Sequence, residues 1–419
     1  MSQSSSAHNS TPVRPDTGSP LPYAEFVALC AALMASTALA IDIILPAMLI
    51  IGSALGAGND NAAQWVVTAY VVPYALGQLI FGPLADRYGR RFSILLGMGV
   101  YVAGSIGSVF ANSFEVLLLM RGIAGFGAAS SRVATVATVR DCFAGRNMAS
   151  VMSIIMMVFM LVPLAAPLLG QVLQRMAGWQ AIFAFMALFG VTLFTWVAVR
   201  LPETLREEDR MPLSFAGVSH AFMIVMTNRR SMFYALAMAV FFGSLFGFIN
   251  SAAQIYLEYY QIGGWFPLAF SVGAGFIAVA SMINSRLVRR LGMRRLSHGA
   301  LLSFLSLAIL FTIINAFAGL DVWVFTAAIC MMLFCFGFIG TNFNAIAMEP
   351  LGAQAGMASA VFGFLQMGIA GVVGAIIGQM YDGTVVPLLV GYIACGGIAL
   401  GFVIMAECGK LFGETDEQS

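Results

Sequence analysis

Three ionisable side chains stand where lipid is the expected surrounding. Asp42, in TALAIDIILPAM, and Arg121 and Arg132, in RGIAGFGAASSRVATVATVRD, all fall inside apolar runs long enough to cross a bilayer. A carboxylate near the middle of a span costs about 2.5–3.5 kcal/mol on insertion scales and is usually retained for function. Pro46 follows four residues later and has no N–H, so the carbonyl of Asp42 loses its helical partner and the backbone there can bend or bind. By helical rise Asp42 lies about 13 Å from the outer end of its run and Arg121 about 10 Å into its own. The matched depths make Arg121 the natural partner. Burial disfavours a carboxylate and a neighbouring guanidinium favours it, so a pair whose separation changes with conformation could load and release a proton. The plainer reading is an acid merely neutralised by an internal arginine.

Arg132 lies eleven residues beyond Arg121. At about 100° per residue that is three turns plus about 20°, so both face one direction along the fourth run. Gly122, Gly125, Gly127, Ala128 and Ala129 between them are small enough to let a neighbouring helix or a ligand approach closely. Arg132 either extends this basic stripe or snorkels toward the cytoplasm. In the second half the runs hold no full charge, only the amides Asn250, Gln254, Asn342, Asn344 and Gln366. With Phe246 and its neighbours Phe241, Phe242, Phe248 and Tyr256 they suit a cavity for lipophilic or amphiphilic compounds, helix packing being the competing use of the aromatics.

The chain around these residues has 419 residues, 60% of them hydrophobic and 9% charged. Soluble domains run at roughly 45–50% and 25%, so an ordinary soluble fold is excluded. A formal net charge of +1 argues against a nucleic-acid partner. His8, His220 and His298 are dispersed, and the six cysteines lack the short paired spacings of zinc or redox sites. Neither a metal nor another cofactor is therefore expected, nor an enzyme's catalytic constellation, and the thiols read as buried. The first 22 residues, rich in Ser, Thr and Pro, have no signal-peptide core and read as a disordered tail.

Twelve apolar runs follow, six before and six after a polar stretch that begins LPETLREEDR. The expected architecture is an all-α integral membrane protein of twelve transmembrane helices in two pseudo-symmetric six-helix bundles. Residues 23–200 and 231–408 form the bundles, 201–230 a linker too short to cross the membrane, and 409–419 a second tail. Pro163, Pro167 and Gly170 are expected to bend the fifth run. Of the 20 basic residues 17 fall on one side, Arg175 alone on the other, and Arg121 and Arg132 within a span. Loops retained in the cytoplasm keep their Lys and Arg, so both termini are expected there. GPLADRYGRR after the second run is echoed by SRLVRRLGMRR after the eighth, with Gly89 and Gly292 aligned and the acid lost from the second copy, Arg289 standing where Asp86 does. Internal duplication around a midplane site is a pattern of secondary transporters. Asp86 in this loop and Arg140 and Asp141 in VRDCFAGR suggest a charged clasp, topological anchoring being the plainer use.

From the first run onward the chain closely resembles the major facilitator superfamily, and within it the twelve-span drug:proton antiporters of the Bcr/CflA type. The resemblance rests on GPLADRYGRR, on RGIAGFGAA from Arg121, on VRD from Val139, on LPETL from Leu201 and on GMASAVFGFLQ from Gly356. It implies that Gly82, Asp86 and Arg90, with Arg87, Gly89, Arg91 and Arg140 around them, form a conformational latch with Asp141. It also implies that Arg121 is the proton-transfer arginine and Asp42 the membrane acid. IDIILP, VATVATVRD and GWQAIF look similar to phenicol exporters. LVPLAAPLLGQ departs from the antiporter signature, keeping only Pro167 and Gly170 with Ala166 and Gln171 in place of the accompanying glycines. The expectation is a monomeric, proton-driven exporter of small amphiphilic compounds in a bacterial inner membrane. Uptake of a sugar, nucleobase or amino acid on the same fold is the alternative.

Overall fold

The protein, seen here as a computed structural model, is described over residues 18–59, 61–210 and 215–412. Residues 1–17, with Arg14, and residues 413–419 hold most of the two expected tails and lie outside the described residues. The first six spans are built from α1 (Tyr23–Asp42) with α2 (Met48–Ala54), α3 (Trp65–Tyr88), α4 (Arg90–Val109), α5 (Phe114–Cys142), α6 (Gly145–Ala177) and α7 (Gln180–Arg200). A surface helix α8 (Phe215–Thr227) leads into the second six: α9 (Arg229–Gln254), α10 (Phe266–Leu291), α11 (Met293–Ala318), α12 (Val322–Met348), α13 (Ala355–Gln379) and α14 (Val386–Ala406). Twelve segments among the described residues are long and apolar enough to cross a membrane, and there is no strand. The stretch between the sixth and seventh spans is not wholly irregular: α8 packs on α13 and α9, and the seventh span already begins at Arg229.

In the first half α5 is the central element, packed on α3 and α4, with α1 held between α5 and α6. In the second half α9 takes the equivalent place against α13, α14 and α12. The halves meet along two seams, α3 against α13 and α6 against α10. The seams are closely fitted: Ser271 Oγ donates to the Leu164 carbonyl at 2.6 Å, and Gln78 Nε2 to the Gly363 carbonyl at 3.4 Å.

Two features explain how apolar helices stop and turn without water. Gly89 and Gly292 end α3 and α10 at corresponding points with φ of +105° and +77°, conformations that cost side-chain-bearing residues dearly. The other feature is the interruption of the first span. After Asp42 the helix gives way to a 3₁₀ turn, Leu45–Ala47, with Pro46 inside it, before α2 resumes. Gly170 of α6 presses on this break so closely that a Cβ there would stand 1.9 Å from the Ile43 carbonyl oxygen. Helix α6 continues through Pro163 and Pro167 without an interruption, and Gly170 serves the approach to the first span. One thiol also departs from expectation: five cysteines are buried, but Cys408 is exposed beyond the end of α14.

Replacing Gly170 by Val is expected to lower stability by at least about 1–3 kcal/mol, because the backbone of the first span cannot move aside as a side chain would. The same change at Gly401, which has open space around it, is the control. Unfolding temperatures of the purified proteins in detergent check the difference.

Candidate transport site and conformational latches

Asp42 occupies the last turn of α1, 5% exposed, and its carboxyl has no hydrogen-bond or ion-pair partner among the described residues. Arg121 lies nearby but is not paired with it. Its Nη2 donates to the Ala40 carbonyl at 3.0 Å and its Nε to the Val66 carbonyl at 3.1 Å. The guanidinium carbon also sits 4.5 Å from the centre of the Tyr70 ring. The expected Asp42–Arg121 pair is therefore open in this conformation. The guanidinium instead serves the Ala40 carbonyl in the last turn of α1, an end where a cation is favourable, and the Val66 carbonyl near the start of α3. Arg121 is fully buried, yet its Nη1 has no hydrogen-bond partner. Arg121 thus reaches the backbone of α1 two residues before Asp42, and each of the two side chains keeps a group without a hydrogen-bond partner.

Helix α5 presents distinct faces. Gly125 and Ala129 touch α3, Ala124, Gly127 and Ser130 touch α4, and Leu119, Gly122, Ile123 and Phe126 line an apolar crevice of about 630 Å³ beside α3. Arg121 reaches α1 through the Ala40 carbonyl, and Ala128, Arg132 and Thr135 follow it at helical spacing. The crevice is on the wrong side of α5 to hold a ligand against Asp42. Arg132 is half-buried, with no side-chain partner among the described residues.

The latch at the arginine-rich face is narrower than the sequence implied and includes one further acid. Arg90 at the start of α4 pairs with Asp86 at 2.5 Å and with Asp141 at 2.8 Å. Glu203, after α7, accepts from the backbone N–H groups of Arg90 at 2.8 Å and Arg91 at 3.2 Å, so it caps the N-terminus of α4 from a distant part of the chain. A Cβ on Gly89 would meet that carboxylate at 2.1 Å. Gly82 lies against Val133 and Ala360, which brings the loop's helix to the opposite half. Arg91 donates to the Ala198 carbonyl instead of an acid. Arg87 and Arg140, expected in the clasp, are exposed and take no part in an ion pair among the described residues. Glu203 was visible in the sequence only as part of LPETL, and nothing local pointed it at α4.

The second half has a charged cluster of its own, built without an acid from the repeated loop. Arg294, at the start of α11, pairs with Glu407 at 2.8 Å and approaches Glu349 at 3.9 Å. Tyr234 donates its hydroxyl to Glu407 at 2.8 Å, and His298 Nε2 lies 2.8 Å from the same hydroxyl. With that hydroxyl proton committed to Glu407, His298 must donate through Nε2, which leaves Nδ1 to accept from the Phe412 N–H at 3.3 Å. Burial works to raise the Glu407 carboxyl, but the Arg294 guanidinium and the Tyr234 hydroxyl outweigh it and hold it below the usual carboxylate range. The acid comes from the end of the last span and not from the repeated loop, so the repeat motif did not reveal it.

Several expected cavity residues of the second half are placed elsewhere. Gln254 lies at the arginine-poor end, where Gln64 donates to it and it donates to Asn61 Oδ1 at 2.8 Å. Asn61 donates in turn to the carbonyls of Gln379 and Tyr381 at 3.1 and 2.9 Å, and Gln379 donates back to the Asn61 carbonyl at 2.8 Å. These amides bind the two halves together on that side. Asn342 is committed within its own half, donating to Asn284 Oδ1 at 2.8 Å. Phe246 packs on α13 at Gly374, and Phe241 stacks on Phe336 with ring centres 4.1 Å apart, so much of the aromatic area is bundle core. Asn250 is buried against Gly378 with its Oδ1 unpaired; Gln366 is half-buried and Asn344 exposed. Among the described residues no group of three or more His, Cys, Asp or Glu could hold a metal ion.

A profile for the Major Facilitator Superfamily matches residues 28–375. The chain belongs to the major facilitator superfamily. The transporter is 28% identical to a bicyclomycin resistance protein homolog of Haemophilus influenzae, over 85% of this chain and 89% of that one. It is 33% identical to a chloramphenicol resistance protein of Pseudomonas aeruginosa over 60% and 58%, and 26% identical to the multidrug transporter MdfA of Yersinia pestis over 78% and 80%. In fold it resembles the human organic anion transporter MFSD10, with a TM-score of 0.68 at 17% identity over 92% of this chain and 100% of that one. It also resembles the xylose transporter XylE of E. coli, with a TM-score of 0.70 at 13% identity over 95% and 99%.

Glu203→Ala removes an N-terminal cap and is expected to cost about 0.5–2 kcal/mol, read as a lower unfolding temperature, whereas Arg140→Ala leaves it unchanged. Replacing both Asn61 and Gln254 by Ala is expected to loosen the arginine-poor end. In a cysteine-free background, a cysteine at Ser251 then reacts with maleimide several-fold faster than in the protein with both amides intact.

Proposed function

We propose that the transporter is a proton-coupled exporter of small amphiphilic drugs, with phenicol-like antibiotics the first candidates, working by alternating access between its two halves. The observation that carries this reading is Asp42: an acid without a partner at a break in a membrane span, in a chain whose relatives are named for antibiotic resistance. A state that leaves the acid isolated favours its protonated form, and a state that brings Arg121 Nη1 to it favours release of the proton. Coupling follows when substrate and proton stabilise different arrangements of the halves. The latch of Arg90 with Asp86 and Asp141 on one face, and the amide bonds of Asn61, Gln64 and Gln254 on the other, are the contacts to be exchanged.

The arginine-rich face is read as cytoplasmic, since Lys and Arg are retained on that side of a bacterial inner membrane. Both termini then lie in the cytoplasm, and substrate is released across the face closed by the amides. A single protomer holds Asp42, Arg121 and both latches, so the transporting unit is read as the monomer, with protons and the small-molecule substrate as its partners.

In proteoliposomes with an imposed pH gradient, the native protein is expected to move chloramphenicol against its concentration gradient. Asp42→Asn should fold normally but lose at least about tenfold of the gradient-driven rate, a barrier change of about 1.4 kcal/mol. Full gradient-driven transport by this variant would remove Asp42 from the coupling role, and drug movement in the same direction as protons would make the protein an importer.

A further inference from the structure

Arg132 is used neither by the coupling pair nor by either latch. The buried arginines Arg90, Arg121 and Arg294 are each bound to carboxylates or carbonyls. Arg132 has no such partner among the described residues, although it is half-buried in the interior of a 29-residue helix. The helix carrying it ends ten residues later at Cys142, about 15 Å away by helical rise. That is further than one arginine side chain reaches, so Arg132 does not extend to the end of its own helix.

By helical spacing Arg132 falls within about 20° of Arg121 on α5 and about 16 Å nearer the arginine-rich side, away from the residues that pack on α4 and line the apolar crevice. Thr135, three residues after it, is fully buried with a hydroxyl that has no hydrogen-bond partner. Thr138 on the same helix turns its hydroxyl back onto the Ala134 carbonyl at 2.8 Å, so of the two threonines in this part of α5 only Thr135 keeps a hydroxyl without a partner. A fixed cation and an unpaired hydroxyl therefore occur together in this part of α5. A guanidinium prefers planar oxyanions, which it binds through two parallel hydrogen bonds.

We propose that Arg132 and Thr135 form an oxyanion subsite on the substrate path, which receives the carboxylate or similar acidic group of an amphiphilic substrate. This rests on the transport reading and adds acidic amphiphiles to the neutral phenicols as a substrate class. The subsite draws anionic amphiphiles toward Asp42, whereas permanently cationic dyes are repelled by it.

Binding to the detergent-purified full-length protein, measured by titration calorimetry, tests the subsite independently of transport. The probes are naphthylacetate and fusidate, each compared with its methyl ester. The native protein is expected to bind the acids about tenfold more tightly than the esters. Arg132→Ala should abolish that preference while leaving ester binding unchanged, and Arg132→Lys should restore part of it. Equal affinity of the native protein for acid and ester, or a preference that survives Arg132→Ala, overturns the subsite. Proteoliposome transport of chloramphenicol by the same preparations separates the two ideas. If Arg132→Ala changes acid binding while no preparation moves drug, the transport reading fails and the subsite stands. If Asp42-dependent transport is intact but acid and ester bind alike, only the subsite is lost.

Discussion

A helix end inside lipid has no water to satisfy it, and most of this structure's polar chemistry answers that constraint. The first span breaks after Asp42, where Pro46 withholds an N–H, and the exposed carbonyls have to be covered by protein. Gly170 lets α6 close over the Ile43 carbonyl, and Arg121 reaches from α5 to the carbonyl of Ala40. The same solution recurs at other termini. Arg91 donates to Ala198 near the end of α7, Arg229 to Met405 near the end of α14, and Glu203 accepts from the first N–H groups of α4. Cations sit at C-terminal ends and an anion at an N-terminal end, the arrangement that helix dipoles favour.

This gives the charged residues two duties at once. A side chain that caps a distant helix end is also a tie between elements, and exchanging its partners moves those elements. Arg121 is the clearest case. It is held by two carbonyls and an aromatic ring but keeps one donor unused, so binding an acid there need not first break an existing bond. The cluster around Arg90 is more fully bonded, since two carboxylates and the Glu203 cap all converge on the start of one helix.

The halves are built alike but are tied differently. The first half gathers its acids from the ends of the second and fourth spans and the segment after the sixth. The second half relies on Glu407 after the twelfth span and on Glu349 after the tenth. Across the two seams, amides and small residues replace charges. Uncharged hydrogen bonds such as those of Asn61 with the α13 end hold the surfaces in register without leaving an uncompensated ion when they part.

The sequence by itself determined the number of spans, because length and hydrophobicity are all a bilayer requires of a helix. It also marked Asp42, Arg121 and Arg132, since a charge within such a run is conspicuous whatever surrounds it, and it marked Asp86, Arg90 and Asp141 through a local motif. Partnership was decided only by the tertiary structure. Nothing along the chain distinguishes Gln254, which ties the halves together, from Asn342, which is spent inside one half, or from Asn250, which keeps an unpaired oxygen. Glu203 and Glu407 read as ordinary polar residues at span ends until folding brings them to Arg90 and Arg294. Insertion energies belong to single residues and single helices, but the pairing of polar groups depends on distances between helices far apart in the chain, and the packing of the bundles sets those distances.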